Sequence, residues 1–377
     1  MFNSGQNNNE RIFITGGEKL YGKVNISGAK NAALPLMALS LIINEDFKLL
    51  NVPDLADTRL MVKLLNDLGI KSIWKNGHVN FNGIAQKNEA SYELVRQMRA
   101  SILILGPLLA SQGSAKVPLP GGCAIGSRPI DLHVMVMEAL GANIKFDSGF
   151  IVGSVPSEGL RGGKINFPKI SVGATESAIM TAVLAKGQTI ISNAAQEPEI
   201  VDIVTCLNKA GANIVGEGSN TIIINGVEEL KKLQHEVVAD RIEAGSFAIA
   251  ASITMGDIEI KNIIPKYLER FLKALENTGS KVEIYKNSIN ICASKRPLPY
   301  NIFTEEHPGF PTDLQAQYMT LMSIADGECE IRENIFENRF MHVPELIRMG
   351  ARISVKNQTA TVTGVNYLKA SKVMASD

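Results

Sequence analysis

The chain has 377 residues, 45% of them hydrophobic, which suffices for two or three domains with sizeable cores and excludes disorder over most of the length. Lys+Arg and Asp+Glu both number 38, so the formal net charge is zero, which argues against a nucleic-acid or membrane-surface protein. Cys123, Cys206, Cys292 and Cys329 form no CxxC pair, and with the five histidines they show no metal-ligand spacing; free thiols of a reducing compartment are expected.

The first ten residues are polar and Asn-rich and lack the apolar core of a signal peptide. The apolar run 32–43 contains Pro35 and is too short to span a bilayer, so a cytoplasmic protein is expected. From there the chain repeats itself. One unit reads as an apolar helix, a short strand, a second helix ending at a glycine, then a strand pair. The ending glycines are Gly69, Gly141, Gly211, Gly279 and Gly350, spaced by about 70 residues. Glycine just past a helix supplies the left-handed cap. Strands are expected at 71–74, 142–146, 212–215, 280–284 and 351–355, with turns such as Lys75-Asn76-Gly77 making hairpins.

The first helices start near Lys30-Asn31, Arg99, Gly173, Arg241 and Thr312-Asp313. They read as apolar on all sides and therefore buried, whereas second helices such as 58–68 and 199–210 read as amphipathic and outer. Mixed helix and strand at this period is an α/β unit. A helix start offers free N–H groups and partial positive charge, hence a place for anions. Lys30 is a mild misfit there unless it serves a ligand. Thr312-Asp313-Leu314-Gln315 also reads as a capping box.

Between the second unit's strand and its second helix lies Leu119-Pro120-Gly121-Gly122-Cys123-Ala124-Ile125-Gly126-Ser127-Arg128-Pro129. Its glycines and prolines exclude helix and central strand, which leaves an exposed loop. Arg128 near Cys123 favours the reactive thiolate. A sixth unit is only begun at residues 372–377, and six units would need roughly 420 residues.

Several motifs together resemble one family. They are Ser27-Gly28-Ala29-Lys30-Asn31-Ala32-Ala33-Leu34-Pro35, the 120–129 loop, Ser171-Val172-Gly173-Ala174-Thr175, Glu197-Pro198-Glu199-Ile200-Val201-Asp202, Phe310-Pro311-Thr312-Asp313-Leu314-Gln315-Ala316-Gln317 and Phe336-Glu337-Asn338-Arg339-Phe340-Met341-His342. From about residue 11 to 377 the chain resembles the UDP-N-acetylglucosamine 1-carboxyvinyltransferases, enolpyruvyl transferases that open peptidoglycan precursor synthesis. The shikimate-pathway transferases share the fold but lack the cysteine loop.

The resemblance implies two inverse α/β barrels of three repeats each, with the sixth unit incomplete here. Residues 30–238 would form the first domain, and residues 1–29 with 239–377 the second. The implied substrates are phosphoenolpyruvate and UDP-N-acetylglucosamine, with no metal, organic cofactor, nucleic acid or membrane, and a monomer is expected. Cys123 would be the general acid, forming a covalent adduct with phosphoenolpyruvate and reacting with the epoxide fosfomycin. Lys30, Asn31 and Arg128 would hold phosphoenolpyruvate, and Asp313 would be the base. Arg99, Arg128, Pro129, Ile130, Asp131, Leu132, Lys169, Ile170, Ser171, Val172, Asp313 and Ile335 would line the nucleotide-sugar site, with Glu197 and Arg339 as supporting charges. Further arginines expected after residue 377 give a second reading, a weakly active or inactive remnant that binds nucleotide sugar.

Overall fold

The computed structural model describes residues 11–120 and 130–375. The repeat is realised as five small sheets, each joined to two helices. In four of the five sheets the strand following an interior helix lies inside the sheet, and in all five it pairs antiparallel with the second strand of the hairpin, as Phe47–Leu50 does with His78–Asn82. The hairpin then pairs internally, Lys71–Lys75 with His78–Asn82. Four of the central strands also take a parallel partner from elsewhere in the chain, and this stitches neighbouring units together.

That stitching closes a ring in the first body. Leu233–Glu236, from the third unit, pairs parallel with Phe47–Leu50 of the first. In the second body, Asp257–Lys261 takes its parallel partner from the N-terminal strand Tyr21–Asn25, more than two hundred residues away. Three of the sheets belong to the first body and two to the second, among the described residues. Two separate apolar cores result. One runs from Ala29 to Val237; the other joins Ile26 to residues between Ala244 and Val362.

All five helix-ending glycines adopt positive φ, between 92° and 106°, as a left-handed cap requires. The expected strands appear within a residue or so of their predicted limits: Lys71–Lys75, Asn143–Asp147, Asn213–Val215, Lys281–Ile284 and Arg352–Lys356. The first helices are interior. Lys30–Ala38 buries every residue from Ala32 onward, and Val172–Ala182 every residue from Ala174 onward. Two of the five, starting at Arg99 and Thr312, begin with a 3-10 turn before becoming α-helical.

Two expectations need correction. The second helix Ala56–Asp67 is amphipathic as predicted, but Pro198–Lys209 buries most of its length, Glu199 and Asp202 included. It packs against the interior helices Lys30–Ala38 and Val172–Ala182 and carries the link to the second body, so the side bearing Glu199 and Asp202 has protein on it while Thr205, Asn208 and Lys209 stay exposed. The capping box at Thr312 does not form. Pro311 occupies the cap position, and the Thr312 hydroxyl donates instead to the carboxylate of Glu333, at 3.0 and 3.1 Å.

Candidate active site between the two bodies

The chain crosses between bodies twice, at residues 26–30 and 237–241. The crossings lie side by side. The Ala29 N–H donates to the Val238 carbonyl and the Asp240 N–H to the Ser27 carbonyl, both at 2.8 Å, around an antiparallel bridge of Gly28 with Ala239. Gly28 has to be glycine, because a Cβ there would run into the backbone carbonyl of Asn51. Each crossing runs directly into a helix start, Lys30–Ala38 in the first body and Arg241–Ile253 in the second.

Lys30 and Asn31 therefore face the cleft from the first turn of an interior helix. The Lys30 ammonium pairs with Asp57 at 3.3 Å, both side chains remaining substantially exposed. From the other body the short turn Thr312–Leu314 brings Asp313 opposite. The Asn31 amide approaches Asp313 Oδ2 at 3.5 Å across the cleft, while Arg339 donates to Oδ1 at 3.0 Å. The guanidinium thus fixes one carboxylate oxygen and leaves the other toward Asn31. Arg339, expected as a supporting charge, pairs here with Asp313.

The loop after strand Glu328–Arg332 is ordered by Glu333, a carboxylate only 1% exposed. It accepts the Ile335 and Phe336 backbone N–H groups at 2.9 and 3.1 Å, besides the Thr312 hydroxyl. Ile335 is half-buried, and its described polar contact is through the main chain. Sequence reasoning missed Glu333: an isolated glutamate after a strand carries no local signal.

In the first body the helices Asp131–Ala139 and Val172–Ala182 also start beside each other. They are brought together where Gly173 faces the His133 ring, a side chain at that position having little room. Ser171 caps the second of these helices through Ala174 N–H. Asp131 and Lys169 are exposed, Ile130, Ile170, Ser171 and Val172 half-buried, and Leu132 buried. Buried His133 contacts the Ser177 hydroxyl through Nδ1 at 2.8 Å. Burial, with the Arg99 charge nearby, pushes its pKa down to about 4, so the ring is neutral near pH 7. Arg99 thus lies within electrostatic reach of this cluster. Cys123, Arg128 and Pro129 lie outside the described residues.

Behind the cleft sits a group of buried acids that the sequence did not single out beyond Glu197. Glu199 and Arg241, 42 positions apart, form a two-point ion pair at 3.2 and 3.4 Å that joins the bodies. Glu197 is buried and its Oε1 accepts the His307 N–H at 3.4 Å, while Oε2 has no partner among the described residues. Burial raises its pKa, and that of Glu176 well above the usual carboxylate range, the latter with help from the charges of Glu199 and Glu197. Burial and the Arg241 charge lower His307 to about 4. Asp240 caps the Arg241–Ile253 helix through Oδ1, accepting from Ile242 and Glu243. Burial raises its pKa, and backbone N–H groups of Glu243, Ile242 and Lys30 pull it back.

The geometry brings Lys30 and Asn31 of one body to face Asp313 and Arg339 of the other. The profile of the EPSP synthase family (3-phosphoshikimate 1-carboxyvinyltransferase) matches residues 14–377. A UDP-N-acetylglucosamine 1-carboxyvinyltransferase of Xanthobacter autotrophicus is 48% identical over 381 residues, covering 98% of this chain and 88% of the relative. One of Zymomonas mobilis is 47% identical with the same coverage. Among solved structures, the enolpyruvyl transferase NikO of Streptomyces tendae superposes with TM-score 0.83 at 21% identity, covering 93% of this chain and 83% of that one. An EPSP synthase of Acinetobacter baumannii gives 0.69 at 16%, a likeness of fold. Nothing in these relationships favours a remnant. The chain belongs to the enolpyruvyl transferase family, on its UDP-N-acetylglucosamine 1-carboxyvinyltransferase branch.

Proposed function

We propose that the cleft transfers the enolpyruvyl group of phosphoenolpyruvate to the 3-hydroxyl of UDP-N-acetylglucosamine, with release of phosphate, as the first committed step of peptidoglycan precursor synthesis. The observation that carries the assignment of roles is the approach of Asn31 to Asp313 across the two bodies, with Lys30 beside the one and Arg339 on the other. The reaction is addition followed by elimination. The sugar hydroxyl loses its proton and attacks C2 of phosphoenolpyruvate while C3 gains a proton to become a methyl group. A proton then leaves that methyl, the double bond re-forms, and phosphate departs. These steps call for a base, an acid and cations that hold the phosphate charge throughout.

Asp313 is the base, through the oxygen that faces Asn31. Lys30 and Asn31, at the start of the Lys30–Ala38 helix where N–H groups add to the attraction for an anion, hold phosphoenolpyruvate together with Arg128. Cys123 is the acid and the site of covalent adduct formation. Arg99, Arg128, Pro129, Ile130, Asp131, Leu132, Lys169, Ile170, Ser171 and Val172 take the nucleotide sugar, with Asp313 and Ile335 closing over it. The separate cores support a division into residues 30–238 and residues 1–29 with 239–377. Both walls come from one chain, which supports a monomer as the working unit. Unpaired Cys206, Cys292 and Cys329 suit a reducing cytoplasm, and no described helix is long and apolar enough to cross a membrane.

The test is phosphate release from phosphoenolpyruvate that depends on UDP-N-acetylglucosamine, together with fosfomycin labelling read by mass spectrometry. Phosphate release should require both substrates and fall at least about 100-fold in Asp313→Asn. Fosfomycin should modify Cys123. Burial pushes the Cys206 thiol well up and Cys329 up to about 11, so neither competes as a thiolate. Labelling of any other cysteine, or full activity without Asp313, overturns the reading.

A further inference from the structure

Glu333 is placed by the second body's own sheet. It follows the strand Glu328–Arg332, and its N–H donates at 2.8 Å to the carbonyl of Gln358, in the turn of the adjoining hairpin. The next residue, Asn334, donates its N–H to the hydroxyl of buried Thr304 at 2.9 Å. The Glu333 carboxylate is therefore carried on a fixed backbone, and it reaches Asp313 along two routes. The first runs through Thr312, whose hydroxyl donates to both Glu333 oxygens at 3.0 and 3.1 Å. Asp313 is the next residue of the same short turn. The second route runs through the loop. Glu333 Oε1 accepts the Phe336 N–H at 3.1 Å, and the centroid of the Phe336 ring lies 5.7 Å from the Arg339 guanidinium carbon. Arg339 in turn donates to Asp313 Oδ1 at 3.0 Å. Glu333, Thr312, Asp313, Arg339 and Phe336 thus close a ring of contacts.

We propose that Glu333 is a positioning residue for Asp313. One buried carboxylate fixes the turn that carries the base, through Thr312, and steadies the cation that grips it, through Phe336. This deepens the proposed function and rests on it for the role of Asp313. The turn needs a hold from outside, because Pro311 occupies its cap position and offers no side-chain acceptor to the first N–H groups. A charge kept out of water is costly unless its oxygens are met, and at Glu333 the Ile335 and Phe336 N–H groups and the Thr312 hydroxyl meet them. Bonds to an ionised acceptor are the stronger kind, so the hold is stiff. A misplacement of about 1 Å costs a reacting group about 100-fold in rate, so this stiffness bears on the chemistry as well as on folding. Were Glu333 no more than an anchor for its own loop, removing the Thr312 hydroxyl would leave turnover as it is.

The test uses variants of the full chain. Thr312→Val keeps the shape and removes the hydroxyl, Thr312→Ser keeps the hydroxyl, and Glu333→Gln keeps the volume and removes the charge. Turnover is read as phosphate release with both substrates present. In Thr312→Val kcat should fall about tenfold or more. KM for UDP-N-acetylglucosamine should stay within about threefold in that variant, because Ile335 and Phe336 keep their acceptor. Thr312→Ser should retain at least about a third of the parent kcat. Glu333→Gln should lose at least as much as Thr312→Val, and the Thr312 pair carries the test alone if that variant fails to fold. With Asp313→Asn already in place, Thr312→Val should slow turnover by less than about twofold more, because it acts through that carboxylate. Parent-like kcat in Thr312→Val, an equal loss in Thr312→Ser, or a full further loss on top of Asp313→Asn overturns the proposal. A second measurement needs no substrate: hydrogen exchange of the Leu314 amide, which donates to the Pro311 carbonyl at 3.0 Å across the turn. Exchange should speed up in Thr312→Val and stay near the parent in Thr312→Ser. Unchanged exchange in Thr312→Val overturns the proposal whether or not the chain turns over. If exchange responds while the parent releases no phosphate, the hold of Glu333 on the turn stands and the functional reading falls.

Discussion

His133 shows how a residue's chemistry is set by its surroundings. In the unfolded chain its imidazole titrates near 6.5; in the fold, burial and Arg99 hold it near 4. The folded state thus binds fewer protons than the unfolded state between these values. Stability is fully present above pH 6.5 and is lost as pH falls toward 4, with His133 accounting for about 3 kcal/mol. Thermal melts between pH 7 and 4 should show this fall, and His133→Gln should flatten it. A shallower slope remains in that variant, since His307 is also lowered to about 4. An identical slope in both proteins would refute the assignment. The same scale separates the polar residues that were legible in the sequence from those that were not. Lys30 and Asp313 stood out because they occupy helix starts. Glu333 did not, since its partners Thr312, Ile335 and Phe336 are assembled only when the loop folds back on the neighbouring turn.

At the scale of elements, the repeat was readable because its signals are local. A left-handed glycine after each second helix, and a turn inside each hairpin, act over a few residues. The failure at Thr312 has the same physics in reverse. A capping box competes for one hydroxyl, and buried Glu333 offers that hydroxyl a charged acceptor, which makes the stronger bond. Pro198–Lys209 was misplaced because amphipathicity cannot distinguish a face toward water from a face toward a second body. The crossings yield a prediction here. Gly28→Ala sets a methyl group against the Asn51 carbonyl, which is held in the backbone and cannot turn aside as a side chain would. A loss of about 1–3 kcal/mol is expected, as for other overpacked sites. Exchange at the Ala29 and Asp240 amides should rise with it, and unchanged protection there would contradict the close approach.

For the whole molecule, Glu199 and Arg241 form a buried ion pair that ties one body to the other. Arg241→Ala would leave a buried carboxylate without its partner and should cost about 3–5 kcal/mol in thermal or denaturant unfolding. Replacing both, with Arg241→Met and Glu199→Leu, should recover most of that loss, because the penalty comes from an orphaned charge. A double variant as unstable as the single one would show that the pair does more than balance charge. The sequence by itself determined the period, the hairpins and the helix ends, because those depend on neighbours within a turn or two. Only the tertiary structure decided that Asn31 meets Asp313, that Arg339 holds that aspartate, and that Ser27 is tied to Glu243. Those meetings join residues up to 282 positions apart. They arise from sheets that borrow strands from distant units, and no local periodicity encodes that closure.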